Sequence, residues 1–301
     1  MKVELRISDF HKFDETLKLD AEIIGIGDEF CPWKLYNINN LYNKIHEILS
    51  LGKSVRIVTS VIPANIFSRV VDLIEEIGKI SEHMEFIIND YGFLSYVTEH
   101  KLLENHKIVI GQMLNHSLEE YLWSDEVVSE ETDKVKNNWL LSNFASEEVL
   151  NYFKNCYRVK GTIVNQLPFA QRSADIIKSH GMEISFVDKY YTMAVARKCH
   201  TSMYHNLKPG VSCNFMCNHK LMGALEKIYT IADMSKKFVA PDQDIMDKTQ
   251  NWTIYGNAIY MDYPEKHKFD KEKYKDDTII INQRYYNTLE EVNEIISQYK
   301  N

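Results

Sequence analysis

The sequence predicts an α/β fold, a closed (β/α) TIM-type barrel in a single domain, from three observations. Short β-rich runs recur along the chain and end in polar or glycine residues. Most are followed by an amphipathic stretch with helical spacing. The length of 301 residues, 45% of them hydrophobic, suits one such barrel with an insertion. A doubly wound open sheet is the competing arrangement.

Taken in order, the expected strands are residues 3–7, 22–26, 54–60, 85–88, 107–111, 139–141, 159–164, 184–187 and 278–281. Between them, Phe67, Val70, Val71, Ile74 and Ile77 fall at i, i+3, i+4, i+7 and i+10 and share one helical face. Leu41, Ile45 and Leu49 make a similar stripe. Near the C-terminus, Thr288 and Glu291 have the spacing of a capping box. Leu289, Val292, Ile295, Ile296 and Tyr299 form the apolar face behind it, so the chain is expected to close on a docked helix. Residues 198–222 break the strand/helix rhythm, and residues 263–277 read as a solvated loop. Residues 198–277 are therefore taken as an insertion before the closing strand and helix of one domain, 1–301.

Composition removes several function classes. Lys plus Arg number 35 against 43 Asp plus Glu, a formal charge of -8, which argues against general nucleic-acid binding. The first residues are charged throughout, and no apolar run reaches the ~18 residues of a membrane span. A soluble, cytoplasmic protein without a membrane span is expected. GxGxxG and GxxxxGK[ST] are absent, as are GxSxG and HExxH, so glycine-loop nucleotide binding and the common hydrolase signatures find no support.

Five cysteines are too few and too oddly numbered for a disulfide framework, which leaves metal binding or packing. Cys199, Cys213 and Cys217 form C-x13-C-x3-C, and the last pair would share a face if helical. Cys31 follows the run AEIIGIGDEF, just past the C-terminal end of an expected strand, where barrels gather functional loops. Four thiolates suit zinc or an iron–sulfur cluster, and the lack of paired C-x2-C knuckles favours a 4Fe–4S cluster. Cys156, between a helical run and a strand, is assigned to packing. His200, His205 and His219 flank the cysteines as substitute ligands or hydrogen-bond donors. Arg197 is a candidate to offset cluster charge or grip a carboxylate, with a surface ion pair as the plain alternative. Asn89, Asp90, Asn115, His116 and Gln166 lie at strand ends and are candidate substrate contacts, although turn chemistry accounts for such residues equally well.

The stretch MAVARKCHTSMYHNLKPGVSCNFMCNH and the turn GIGDEFC together resemble the collagenase-like peptidase family (U-32), in particular its short single-barrel iron–sulfur members of ubiquinone biosynthesis. Weaker likenesses run along GKSVRIVTSVIP, IINDYG, IGQMLN and TIIINQRYYNTLEEV. The chain departs from the family at Val195-Ala196-Arg197, where Ser-Ala-Arg is usual, and at Asn218-His219-Lys220. The resemblance implies a (β/α) barrel with a 4Fe–4S cluster on Cys31, Cys199, Cys213 and Cys217. It further implies a heterodimer with a homologous barrel protein and oxygen-independent hydroxylation, or a related redox modification, of a small organic or RNA substrate. A non-catalytic iron–sulfur partner subunit and a peptidase are the alternative functions.

Overall fold

The structure is a computed structural model, and it describes residues 1–82, 84–120, 124, 128–196, 198–223, 252–264 and 268–301. Strands β1 (Lys2–Ile7), β2 (Ile23–Gly27), β3 (Ser54–Val58), β4 (Glu85–Ile88), β5 (Lys107–Ile110), β6 (Val159–Val164) and β7 (Glu183–Val187) run parallel. After β7 come β8 (Tyr190–Val195), β9 (Leu221–Gly223), β10 (Trp252–Tyr255) and β11 (Ala258–Asp262), and then β12 (Thr278–Asn282). The eight strands β1-β12-β7-β6-β5-β4-β3-β2 form a closed barrel, sealed by the parallel register Lys2↔Thr278 to Arg6↔Asn282. Strands β8-β11-β10-β9 form a separate antiparallel sheet that the sequence reading did not anticipate. Among the described residues no helix is long and apolar enough to cross a membrane.

The helices are α1 (Phe13–Thr16), α2 (Pro32–Tyr36), α3 (Leu41–Ser50), α4 (Phe67–Gly78), α5 (Tyr91–Glu99), α6 (Asp133–Leu140), α7 (Glu147–Tyr157), α8 (Pro168–Ser179), α9 (His200–Tyr204) and α10 (Leu289–Lys300). The expected strand at 139–141 is instead the end of α6, with Leu140 buried and Trp139 turned out to solvent. A three-residue apolar run has no period of its own, so helix and strand cannot be told apart there. In α4, Val70, Val71, Ile74 and Ile77 are buried, as the stripe requires. Thr288 Oγ1 caps α10 by accepting from the Glu291 N–H at 3.2 Å, while Glu291 reaches back to the N–H of Asn287 at 2.9 Å. The return bond thus falls one residue before the position a standard capping box uses. Most described residues of the 263–277 stretch are exposed, as a solvated loop requires, and one side chain anchors it. Tyr274 is buried, stacks on Phe269 with centroids 5.5 Å apart, and donates to the carbonyl of Gln171 at 3.0 Å.

Alternate residues of each strand face opposite sides of the barrel wall. Leu5, Ile24, Ile57, Phe86 and Ile279 belong to the large core between wall and helices. Val58, Ile87, Val109, Ile163, Val187 and Ile280 form a separate cluster that fills the barrel interior.

Below that apolar layer the interior is charged. Lys107 Nζ lies 2.5 Å from Glu183 Oε2 and 2.9 Å from Glu85 Oε1, at the N-terminal ends of their strands. Glu85 Oε2 accepts from Arg56 Nε at 2.5 Å, and Arg56 Nη1 reaches Glu4 Oε2 at 2.6 Å. Glu4 Oε1 in turn accepts from Arg6 Nε at 2.8 Å, and Arg6 Nη1 donates to Glu29, just past the end of β2. The ladder therefore runs the length of the barrel and ends at its C-terminal mouth. Glycine at position 25 makes room for it, because a Cβ there would stand 2.7 Å from Glu4 Oε1 and 2.8 Å from Arg6 Cγ. Burial alone would raise the Glu4 carboxyl, but Arg6 and Arg56 outweigh it and hold Glu4 below its ordinary value.

Candidate functional site

The antiparallel sheet sits on the C-terminal mouth, which is the end where barrel enzymes carry their loops. Thr192 Oγ1 donates to Gln112 Oε1 at 3.0 Å, and Asn257 Nδ2 donates to the carbonyls of Phe30 and Ala196, both at 3.0 Å. Tyr190, Tyr255 and Tyr260 of this sheet pack with Phe30 and Tyr285 into one cluster. Arg284 lies among these rings, donating to Tyr260 Oη at 2.9 Å and to Asp28 Oδ2 at 2.6 Å.

Asp28 organises the turn that carries Cys31. Its Oδ1 accepts from the N–H groups of Phe30 at 2.9 Å and Cys31 at 3.1 Å, while Oδ2 faces Arg284 and, at 3.3 Å, Lys34. Burial would raise this carboxyl, yet Arg284 and Lys34 hold it at about 2. Cys31 is the N-cap of α2 with extended backbone, and Pro32 follows at the first helical position, where its missing N–H is harmless.

Cys31, Cys199, Cys213 and Cys217 all line one cavity of about 300 Å³. Cys199 caps α9, its Sγ accepting from the Ser202 N–H at 3.4 Å. Cys213 and Cys217 are not on a helical face, contrary to the expectation from their spacing. Asn214 (φ 43°) and Phe215 (φ 52°) between them are both left-handed, and Cys217 sits in the short 3-10 turn Met216–Asn218. A left-handed phenylalanine is strained, and such strain concentrates where a loop must present particular side chains. Gly210 (φ 74°) lets the same loop close onto the Trp33 ring, which a Cβ would meet at 2.2 Å. Burial, then the charges of Asp28 and Cys217, push the Cys31 thiol up to about 12, against a smaller pull from Lys34. Cys31 and Cys217 are thus within electrostatic reach of each other. The four sulfurs stand around the cavity: among the described residues no three His, Cys, Asp or Glu side chains are already gathered as a ligand set for a metal ion.

The other candidates are distributed differently. None of His200, His205 and His219 lines this cavity. Burial lowers the pKa of His200. Arg197 lies outside the described residues. Cys156 is exposed on α7, so its assignment to packing is corrected: the helix turns that position outward one residue before its last, buried Tyr157. Asn89 Nδ2 donates to the Thr59 carbonyl at 2.8 Å and its Oδ1 accepts from the Met113 N–H at 2.9 Å. Asp90 caps α5 through the Phe93 N–H at 2.9 Å and also accepts from the Ile62 N–H at 2.9 Å. Asn115 bonds Thr162 Oγ1, the Ile163 carbonyl and the Ser142 hydroxyl. Gln166 Nε2 donates to the Val187 carbonyl at 3.0 Å. These side chains tie the strand ends together.

Gly111 packs against Asn89 so closely that a Cβ would lie 2.3 Å from its amide. Gly111→Ala is expected to displace that amide and lower stability by about 1–2 kcal/mol, read from thermal unfolding. An unchanged melting temperature would show the amide to be free to move.

A second, larger cavity of about 590 Å³ adjoins the first and shares Phe30 with it; Gln112, His116, Trp139, Asn143 and Thr192 are among its lining residues. His116 is the one strand-end candidate that opens to it. No Asp, Glu, Lys or Arg is among the described residues lining this cavity. Sequence reasoning missed Asp28, Glu29, Gln112 and Arg284, whose only signal was an acidic pair just before Cys31.

No family model and no curated protein matches this chain. Among solved structures it is similar to the phosphoribosyl anthranilate isomerase from Thermus thermophilus, with 10% identity, covering 62% of this chain and 76% of that one at a TM-score of 0.33.

Proposed function

We propose that Cys31, Cys199, Cys213 and Cys217 hold a 4Fe–4S cluster, and that this cytoplasmic protein acts in, or assists, an oxygen-independent hydroxylation or related redox modification of a small organic substrate. The observation that carries the reading is the meeting of four cysteines from separate parts of the chain around one cavity. The donor set is soft thiolate throughout, which suits iron–sulfur clusters and zinc. A single zinc ion with Zn–S bonds of about 2.3 Å needs sulfurs about 3.8 Å apart. Thiols disposed around a cavity match the larger inorganic body better. When bound, a cluster of this kind supplies one-electron transfer.

The residues around it have separable tasks in this reading. Asp28 holds the Cys31 turn, Ser202 supplies an N–H to the Cys199 sulfur, and Phe30 stands between the cysteine cavity and its neighbour. The neighbouring cavity would take the substrate. The neutral side chains among its described lining residues suit an uncharged molecule, with Gln112 and Thr192 offering hydrogen bonds and Trp139 an aromatic face. A homologous barrel partner, if needed for turnover, would show itself when the isolated chain is inert and a mixture is active.

Anaerobic purification with iron and acid-labile sulfide analysis tests the proposal. Four irons and four sulfides per chain with a brown chromophore are expected. Cys213→Ser should lose the chromophore while keeping the far-ultraviolet circular dichroism of the barrel. A folded protein that takes up neither iron nor sulfide on anaerobic reconstitution, or that binds one zinc per chain instead, would sink it.

A further inference from the structure

A third cavity, of about 560 Å³, opens at the same end of the barrel between the loops that follow β1, β7 and β12 and the stretch Asn214–Lys220. Lys12, Lys189, Lys220 and Arg284 line it, and Asp9 is the one acidic side chain among its lining residues. Arg284 is already matched by Asp28. Among the described residues Lys12, Lys189 and Lys220 have no carboxylate within ion-pair distance. Asp9 is engaged with the backbone of its own loop, accepting from the His11 N–H at 3.0 Å. The surrounding sequence is biased in the same direction. From Lys189 to Leu225 it contains no acidic residue, in a chain whose net charge is -8.

Lys189 is the most constrained of the three. It adopts left-handed backbone (φ 65°), donates from Nζ to the Tyr285 carbonyl at 2.6 Å, and lies 4.4 Å from the centroid of the Tyr286 ring. Burial lowers its pKa, and Lys220 adds repulsion; Asp262, Glu291 and Asp188 oppose them from a distance. Asp262, the strongest of the three, is shared between Lys189 and Lys220, and the other two are occupied elsewhere. Asp188 accepts from the hydroxyls of Tyr286 and Tyr299, and Glu291 from the Asn287 N–H. Holding a partly desolvated ammonium on a strained residue beside another cation is unfavourable unless an anion completes the arrangement. Arg284 Nε adds a buried N–H that has no partner among the described residues.

We infer that this cavity binds the phosphate group of a small molecule, seated between Lys189, Lys220 and Lys12. Three ammonium groups, with Asp9 as the one carboxylate among the described lining residues, suit a dianion better than a monocarboxylate, and lysine serves phosphate as a point charge. The loops after the last two strands of a barrel are a frequent place for such a group. The site adjoins the cysteine cavity across Phe215 and Met216, but none of its lysines lines that cavity, so it does not depend on the proposal above.

Titration calorimetry on the full chain at low ionic strength, with glycerol 3-phosphate, inorganic phosphate, glycerol and malonate as probes, tests this. Glycerol 3-phosphate should bind saturably, glycerol should give no heat, and malonate should bind more weakly than phosphate. Inorganic phosphate equal to the ester supports the free ion as the ligand, and a tighter ester supports a phosphorylated metabolite. Raising salt from about 20 to about 200 mM should weaken binding, since Lys12 and Lys220 are exposed. Lys189→Met, and separately the exposed pair Lys12→Ala/Lys220→Ala, should each raise the Kd about tenfold or more. The exposed pair keeps the test valid if Lys189→Met fails to fold. Absence of saturable phosphate binding, tighter binding of malonate, or affinity unchanged in the folded variants would overturn the inference.

Discussion

Arg56→Met is expected to destabilise the fold by about 3–5 kcal/mol, measured as a shift in the urea unfolding midpoint with little change in slope. Arg56 is 2% exposed and bridges Glu4 and Glu85 inside the barrel. Methionine matches the stem of the side chain but removes the cation shared by both carboxylates, leaving the fully buried Glu4 with Arg6 alone and Glu85 with Lys107. The penalty is that of interior carboxylates left short of one cation; the ladder's net contribution is a different quantity, because desolvation offsets much of the attraction in the intact network. Adding Glu4→Gln to Arg56→Met should therefore restore part of the loss, although Arg6 then keeps only Glu29. A loss under about 1 kcal/mol for the single variant would mean that water reaches these groups and that the barrel interior is not the dry medium inferred from its packing.

Asp28→Asn is the second large effect. The amide keeps an acceptor for the Phe30 and Cys31 N–H groups but removes the charge opposite Arg284 and Lys34, both buried. A loss of about 2–4 kcal/mol is expected, along with a more reactive Cys31 thiol as its turn loosens, read by thiol labelling. The acid behaviour of the unaltered protein follows from the same group. Its carboxyl is held at about 2 against an ordinary 3.8, so it stabilises the fold above the ordinary value. That contribution, about 2 kcal/mol, is lost as the pH falls from about 4 towards 2. Asn at position 28 cannot titrate, so the stability difference between the two proteins should shrink over that window. A constant difference would show that Asp28 is not the group responsible.

Much of the barrel was legible because parallel strands covered on both faces read as continuous β-rich runs. The expected spans 85–88 and 159–164 coincide with β4 and β6, and six further runs overlap the remaining barrel strands. The antiparallel sheet escaped notice because β9 is only three residues long and β8 carries a mixed burial pattern. Arg6 and Arg56 escaped for another reason. A lone charged residue in a strand reads as a solvent-facing position, and only closure of the barrel turns that side inward.

The four cysteines show the same division. Their residue type and the C-x13-C-x3-C spacing singled them out from the linear chain, since thiol chemistry belongs to the side chain wherever it lies. Local order alone therefore determined the strand/helix alternation and the candidate ligands. Tertiary structure decided that Cys31 shares a cavity with three residues more than 160 positions away, that Asp28 braces its turn, and that the ammonium groups of three distant loops face one space. Those facts depend on how the barrel closes and on what is packed across its mouth, and neither is encoded in the period of any single segment.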